Sequence, residues 1–149
     1  KTPGLAYEQA NVAPNSTLPV QEIGYNYRVS FDIDGTKEAM GTELFRSQDA
    51  VFYLSDPISG MLGFARDGYL NTFTYNVQPG QRMNIAIEGD NKATRLFING
   101  KQVEELNIQE RWMDKEGKSR MRNVRTLVFP LEKAGNFQSK ITNLKVEQK

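Results

Sequence analysis

Two side chains are missing from this sequence altogether. Cysteine and histidine both have a count of zero among its 149 residues. Without cysteine there is no disulfide, no thiolate metal site and no cysteine nucleophile. Without histidine the commonest general base and metal ligand is gone. Charge of one sign is also lacking: 19 Lys and Arg against 18 Asp and Glu leave a formal net charge of +1. Nothing in the overall field therefore draws the chain to nucleic acid or to an anionic membrane surface. No apolar run approaches the roughly 18–20 residues needed to span a bilayer. The opening Lys1-Thr2-Pro3-Gly4 carries neither an initiator Met nor a signal segment, so the chain reads as a piece of something longer.

What is present is short-period alternation. In residues 25–33, Tyr25, Tyr27, Val29, Phe31 and Ile33 face one way, and Asn26, Arg28, Ser30 and Asp32 the other. Residues 83–104 read as three strands joined by two tight turns. Met83, Ile85 and Ile87 form an apolar face there, and Asn84, Ala86 and Glu88 a wet one. Gly89-Asp90-Asn91 supplies the first turn, and Asn99-Gly100 the left-handed pair of a two-residue hairpin. Further strands are expected over 43–46, 50–54, 61–66, 69–77, 124–129 and 137–146, with a possible edge strand at 5–7. Residues 1–22 otherwise form an irregular lead-in, and residues 107–123 a charged loop. At most a turn or two of helix is expected over 108–115. Asn15-Ser16-Thr17 fits an N-glycosylation acceptor and equally a plain loop. Strands recurring every 8–12 residues or so, with turn signals between, predict one all-β sandwich domain over 1–149.

Chemistry is harder to find. Glu88-Gly89-Asp90-Asn91-Lys92-Ala93 is the nearest approach to the paired acids of a glycosidase strand, but Ala93 stands where a further acid belongs. Asp32 and Asp34 share a strand face, and Asp34-Gly35 reads as a strand end. No catalytic residue is assigned, and no cofactor. Calcium has weak candidates in Asp90 and Asn91, and in Asp56 with the Ser59 and Gly60 carbonyls; each reads equally as a turn. Aromatic rings beside polar groups are the chemistry of sugar recognition. The candidates are Tyr53 and the group Arg66, Asp67, Tyr69 and Asn71, with Tyr75 as a further ring. Trp112 is either an exposed contact or a loop anchor. Tyr25, Tyr27, Phe31, Phe45, Phe64 and Phe129 read as core. The charged stretch 109–125 interleaves Arg111, Lys115, Lys118, Arg120, Arg122 and Arg125 with Glu110, Asp114 and Glu116. That pattern fits a solvated segment, or docking onto another domain, better than a nucleic-acid grip.

The order of motifs resembles the concanavalin A-like, laminin-G-like jelly-roll family. It rests on Tyr27-Arg28-Val29-Ser30-Phe31-Asp32-Ile33, Glu43-Leu44-Phe45-Arg46-Ser47, Gly63-Phe64 with Asp67-Gly68-Tyr69, and Thr94-Arg95-Leu96-Phe97-Ile98-Asn99-Gly100-Lys101. Asp49-Ala50-Val51-Phe52-Tyr53-Leu54-Ser55-Asp56-Pro57, Ile87-Glu88-Gly89-Asp90-Asn91 and Arg125-Thr126-Leu127-Val128-Phe129-Pro130-Leu131 resemble a module near the C-terminus of bacterial family 20 β-N-acetylhexosaminidases. The resemblance implies a jelly-roll sandwich of two antiparallel sheets, serving as a non-catalytic accessory module of an exported enzyme. Its implied partner is a glycan or the catalytic domain of the same chain. A laminin-G-like protein-interaction domain is the alternative, and an independent glycoside hydrolase the third reading.

Overall fold

A computed structural model of the chain describes residues 2–19, 23, 24, 26–66, 68–107, 109–123 and 131–149, with the backbone alone at 109, 110, 112, 122 and 123. Strands dominate, and no helix occurs among the described residues. In chain order they are β1 (Gly4–Val12), β2 (Tyr27–Asp34), β3 (Thr42–Arg46), β4 (Ala50–Ser55), β5 (Gly63–Arg66), β6 (Tyr69–Thr72) and β7 (Arg82–Gly89). Then follow β8 (Ala93–Ile98), β9 (Lys101–Asn107), β10 (Gln109–Met113), β11 (Ser119–Asn123), β12 (Lys133–Ala134) and β13 (Lys140–Gln148). One sheet has six strands, ordered β1-β13-β2-β7-β8-β9, and the other five, ordered β12-β3-β4-β5-β6. Strands β10 and β11 pair only with each other among the described residues. Every pairing among the described residues is antiparallel.

The alternation of β2 explains its central place. Tyr27, Val29, Phe31 and Ile33 are buried, and across the ladders Ile85, Ile87, Leu96, Ile141, Leu144 and Val146 continue the same apolar face. The five-stranded sheet supplies Phe45, Phe52, Leu54 and Phe64 to one shared core. Phe31 meets Phe45 edge to face, with centroids 5.8 Å apart and planes at 87°, and so ties sheet to sheet. Asn99 and Gly100 join β8 to β9 with φ of 50° and 83°, the left-handed pair that the sequence demands.

Several expectations need correction. Ala86 is fully buried although it lies on the predicted wet face. It stands between Ser30 of β2 and Phe97 of β8, and the Arg28 guanidinium lies 5.1 Å from the centre of the Phe97 ring beside it. The strand expected over 69–77 stops at Thr72. Phe73 N–H then donates to the Leu62 carbonyl and Leu62 N–H to that of Tyr75, so the chain bends and sinks Phe73 against Phe64. The strand expected over 61–66 starts at Gly63, and the last strand starts at Lys140. Phe137 is buried ahead of it, and the Glu38 carboxylate takes up Gln138 N–H, Ser139 N–H and the Ser139 hydroxyl. The lead-in contains a nine-residue edge strand, β1, longer than the stretch expected at 5–7. Neither helix nor loop describes the charged segment: β10 and β11 form a hairpin whose tip is held by Asp114, which accepts from Glu116 N–H, Lys118 N–H and Arg120. Tyr25, Asp67, Phe129 and the strand expected over 124–129 lie outside the described residues, as does the side chain of Trp112.

Candidate functional site

Of the glycan candidates singled out from the sequence, Tyr53, Arg66, Tyr69 and Asn71 fall on two faces of one sheet, while Trp112 lies on β10 of the separate hairpin. Register pairs Arg66 with Tyr69 and Phe64 with Asn71, so these residues share the core-directed face at the β5–β6 edge. Asn71 is buried there, while Tyr69 is 39% exposed. Tyr53 pairs with Glu43 on one side and Gly63 on the other, which puts it on the outer face. The structure brings Arg66, Tyr69 and Asn71 together and separates them from Tyr53.

The acidic candidates are already engaged. Asp90 accepts from Lys92 N–H (2.8 Å), Ala93 N–H (3.0 Å) and Arg95 (3.0 Å), while Asn91 beside it is exposed. Burial pushes the Asp90 carboxyl up, but those donors outweigh it and hold the group below its ordinary range. Asp56 is fully buried and takes the N–H groups of Ile58, Ser59 and Met61 and the Ser59 hydroxyl. It too is held low against the opposing effect of burial. Glu88 pairs with Arg28 and Lys149. Among the described residues no group of three or more acids is placed to hold a metal ion.

Around Tyr53 the outer face offers a different arrangement. Glu43 and Arg46 lie three residues apart on β3, yet a bulge between Glu43 and Phe45 brings both side chains to this face. They form a two-point ion pair, Arg46 Nε to Glu43 Oε1 at 2.8 Å and Nη2 to Oε2 at 2.8 Å. Arg46 holds the Glu43 carboxyl below its usual range despite partial burial, with Lys133 adding to the effect. The pair stands between Tyr53 on β4 and a polar cavity of about 300 Å³ on the β12 side, rimmed by Asn15, Lys133 and Asn136. Gly135 makes the close approach possible: a Cβ there would lie 1.9 Å from the Glu43 carbonyl oxygen. Half-buried Tyr53, a fixed guanidinium, a carboxylate and two amides are a set that presents one ring face and many directed donors and acceptors. Of these, sequence reasoning found only Tyr53. The signal for the rest was Glu43-Leu44-Phe45-Arg46, read as a plain strand although its charges three apart share a face only through a bulge.

Two antiparallel sheets over one core define a jelly-roll β-sandwich, as the resemblance implied. No family model matches the chain, and no curated protein matches it in sequence. Solved structures do match. The galectin LEC-6 of Caenorhabditis elegans superposes with a TM-score of 0.54 at 14% identity, over 93% of this chain and 94% of that one. Domain 4 of AbnA, an extracellular GH43 arabinanase of Geobacillus stearothermophilus solved with arabinotriose, gives 0.53 at 16% identity, over 85% of this chain and 62% of that one. At these identities the likeness is one of fold.

Proposed function

We propose that this chain is a non-catalytic glycan-binding module, and that the outer face around Tyr53, Glu43 and Arg46 is its binding surface. The observation that carries this reading is the two-point Glu43–Arg46 pair standing between a half-buried ring and a polar cavity. Two neighbours of the same fold support it, one a galectin and one an arabinanase domain in complex with a trisaccharide. A non-catalytic role agrees with the acids, since Asp56, Asp90 and Glu88 are engaged by turn amides and cations rather than flanking a cleft. The finer reading is an accessory module of an exported β-N-acetylhexosaminidase, supported by the sequence resemblance alone.

The test is a glycan array on the chain, followed by titration calorimetry on each hit. Saturable binding that weakens about tenfold or more in Tyr53→Ala or Arg46→Ala is the expected result, the loss of a stacking face or of charge-assisted hydrogen bonds. Equal affinity in both variants would remove the site from this face. A docking role is the second reading. It is favoured by the β10–β11 hairpin, which pairs with neither sheet among the described residues and exposes Met113 and Met121 at 63% and 53%. Co-elution with the parent catalytic domain that is lost on Met113→Ser would support docking.

A further inference from the structure

The six-stranded sheet carries a feature that neither the core nor the Tyr53 face explains. Between Thr142 and Lys145 the β13–β2 register shifts: Thr142 pairs with Asp32 and Lys145 with Ser30, leaving Asn143 and Leu144 opposite Phe31 alone. This is a β-bulge, with Asn143 in the left-handed region at φ 55°. Leu144 stays in the core and Asn143 turns outward, where its Nδ2 donates to Asp32 at 2.8 Å. Asn84 donates to the same carboxylate from the other side at 3.1 Å, and Arg82 reaches it at 3.4 Å. The Asn143 and Asn84 amides, with Arg82 adding to them, hold the Asp32 carboxyl low against the opposing effect of burial.

The bulge shapes an open groove of about 460 Å³ across β1, β13, β2 and β7, lined by Glu8, Ser30, Asp32, Asn84, Asn143 and Lys145 among others. Each amide spends a donor on Asp32, and no donor among the described residues occupies either amide oxygen. Lys145 and Glu8 are register partners across β1 and β13 but make no ion pair with each other. The lining therefore offers acceptors at Asn84, Asn143 and Glu8 and donors at Lys145 and Ser30. Its lining holds two carboxylates, Glu8 and Asp32, against Lys145, with Arg82 outside the lining and paired to both Asp32 and Asp34, and none of its side chains is aromatic. A hydroxyl-rich, uncharged ligand matches: each hydroxyl is both donor and acceptor, no anion is set against the two carboxylates, and no stacking face is needed.

We propose that this groove is a second glycan subsite, which takes a neutral oligosaccharide by hydrogen bonds alone, on the sheet opposite Tyr53. The groove stands on its own geometry; the choice of sugar as ligand rests on the reading of the preceding subsection. Because the two outer faces point away from each other, a short chain cannot reach both, and the module would bridge two glycan chains.

Amide chemical-shift mapping of the chain with arabinotriose, chitotriose and cellotriose tests this. At least one sugar is expected to shift the amides of Ser30, Asn84 and residues 143–145. Those shifts persist in Tyr53→Ala and weaken about tenfold in Asn143→Gly, which keeps the left-handed backbone and deletes the amide. Lys145→Ala provides the same readout without touching the bulge. No shift at these positions with any of the three sugars overturns the proposal, as do groove shifts that both variants leave unchanged. Responses at residues 43, 46 and 53 report separately on the Tyr53 face, so either site can fail alone.

Discussion

Asp56 shows how much one side chain can organise. Its buried carboxylate satisfies three backbone N–H groups and a hydroxyl of a turn whose tip, Pro57 to Ser59, is exposed. Asp56→Ala would take the shared acceptor from those donors and cost about 1–3 kcal/mol, readable by urea denaturation. The same residue predicts a pH dependence. Asp32, Asp56 and Asp90 all have carboxyls lowered in the folded state. Each contributes stability that is complete above the unfolded value, about 4. That stability is lost as pH falls through the lower folded value. The midpoint of thermal unfolding should hold steady from neutral pH to about 5 and then drop. Asp56→Asn should flatten that acid limb. The sequence showed Asp56 only as a turn residue beside Pro57. It could not show that the Asp56 side chain is buried, because burial depends on the fold around it, where Leu54 and Leu62 on either side are buried too.

At the scale of elements, turn chemistry was the most legible part of the chain. Asn99-Gly100 forms the hairpin its residues demand, and Gly100→Ala should cost about 1–2 kcal/mol because an L side chain is disfavoured at φ 83°. Thermal unfolding of the single variant checks it. Alternation also placed β2, β7 and β8 well. It failed where a residue's neighbours decide its environment: Ala86 is covered by what lies across the ladder, and Phe73 is drawn out of strand geometry by the core. The β10–β11 hairpin was missed because its alternation is of charged and sulfur-bearing residues, without an apolar face to reveal the period. The two bulges were illegible for a related reason. A bulge is defined by the partner strand, so neither the Glu43–Arg46 pair nor the Asn143 groove exists in the one-dimensional pattern.

For the whole molecule, the contact of Phe31 with Phe45 is the seam on which both outer faces depend. Phe31→Ala should cost about 3–5 kcal/mol, a large share of a typical domain's 5–15 kcal/mol. It should also lower sugar responses on both faces together, unlike Tyr53→Ala or Asn143→Gly, which act on one. Parallel denaturation and shift mapping separate these outcomes.

The antiparallel pairing of first and last strands has a mechanical consequence. Gly4 lies opposite Gln148 and Val12 opposite Ile141, so the first residue of β1 and the last of β13 sit side by side. Tension pulled through both ends therefore loads one rung at a time and peels β1 away, instead of shearing all its hydrogen bonds at once. Glu8 leaves with that strand, and with it one wall of the groove. Under such a load the proposed groove would open before the sandwich itself came apart.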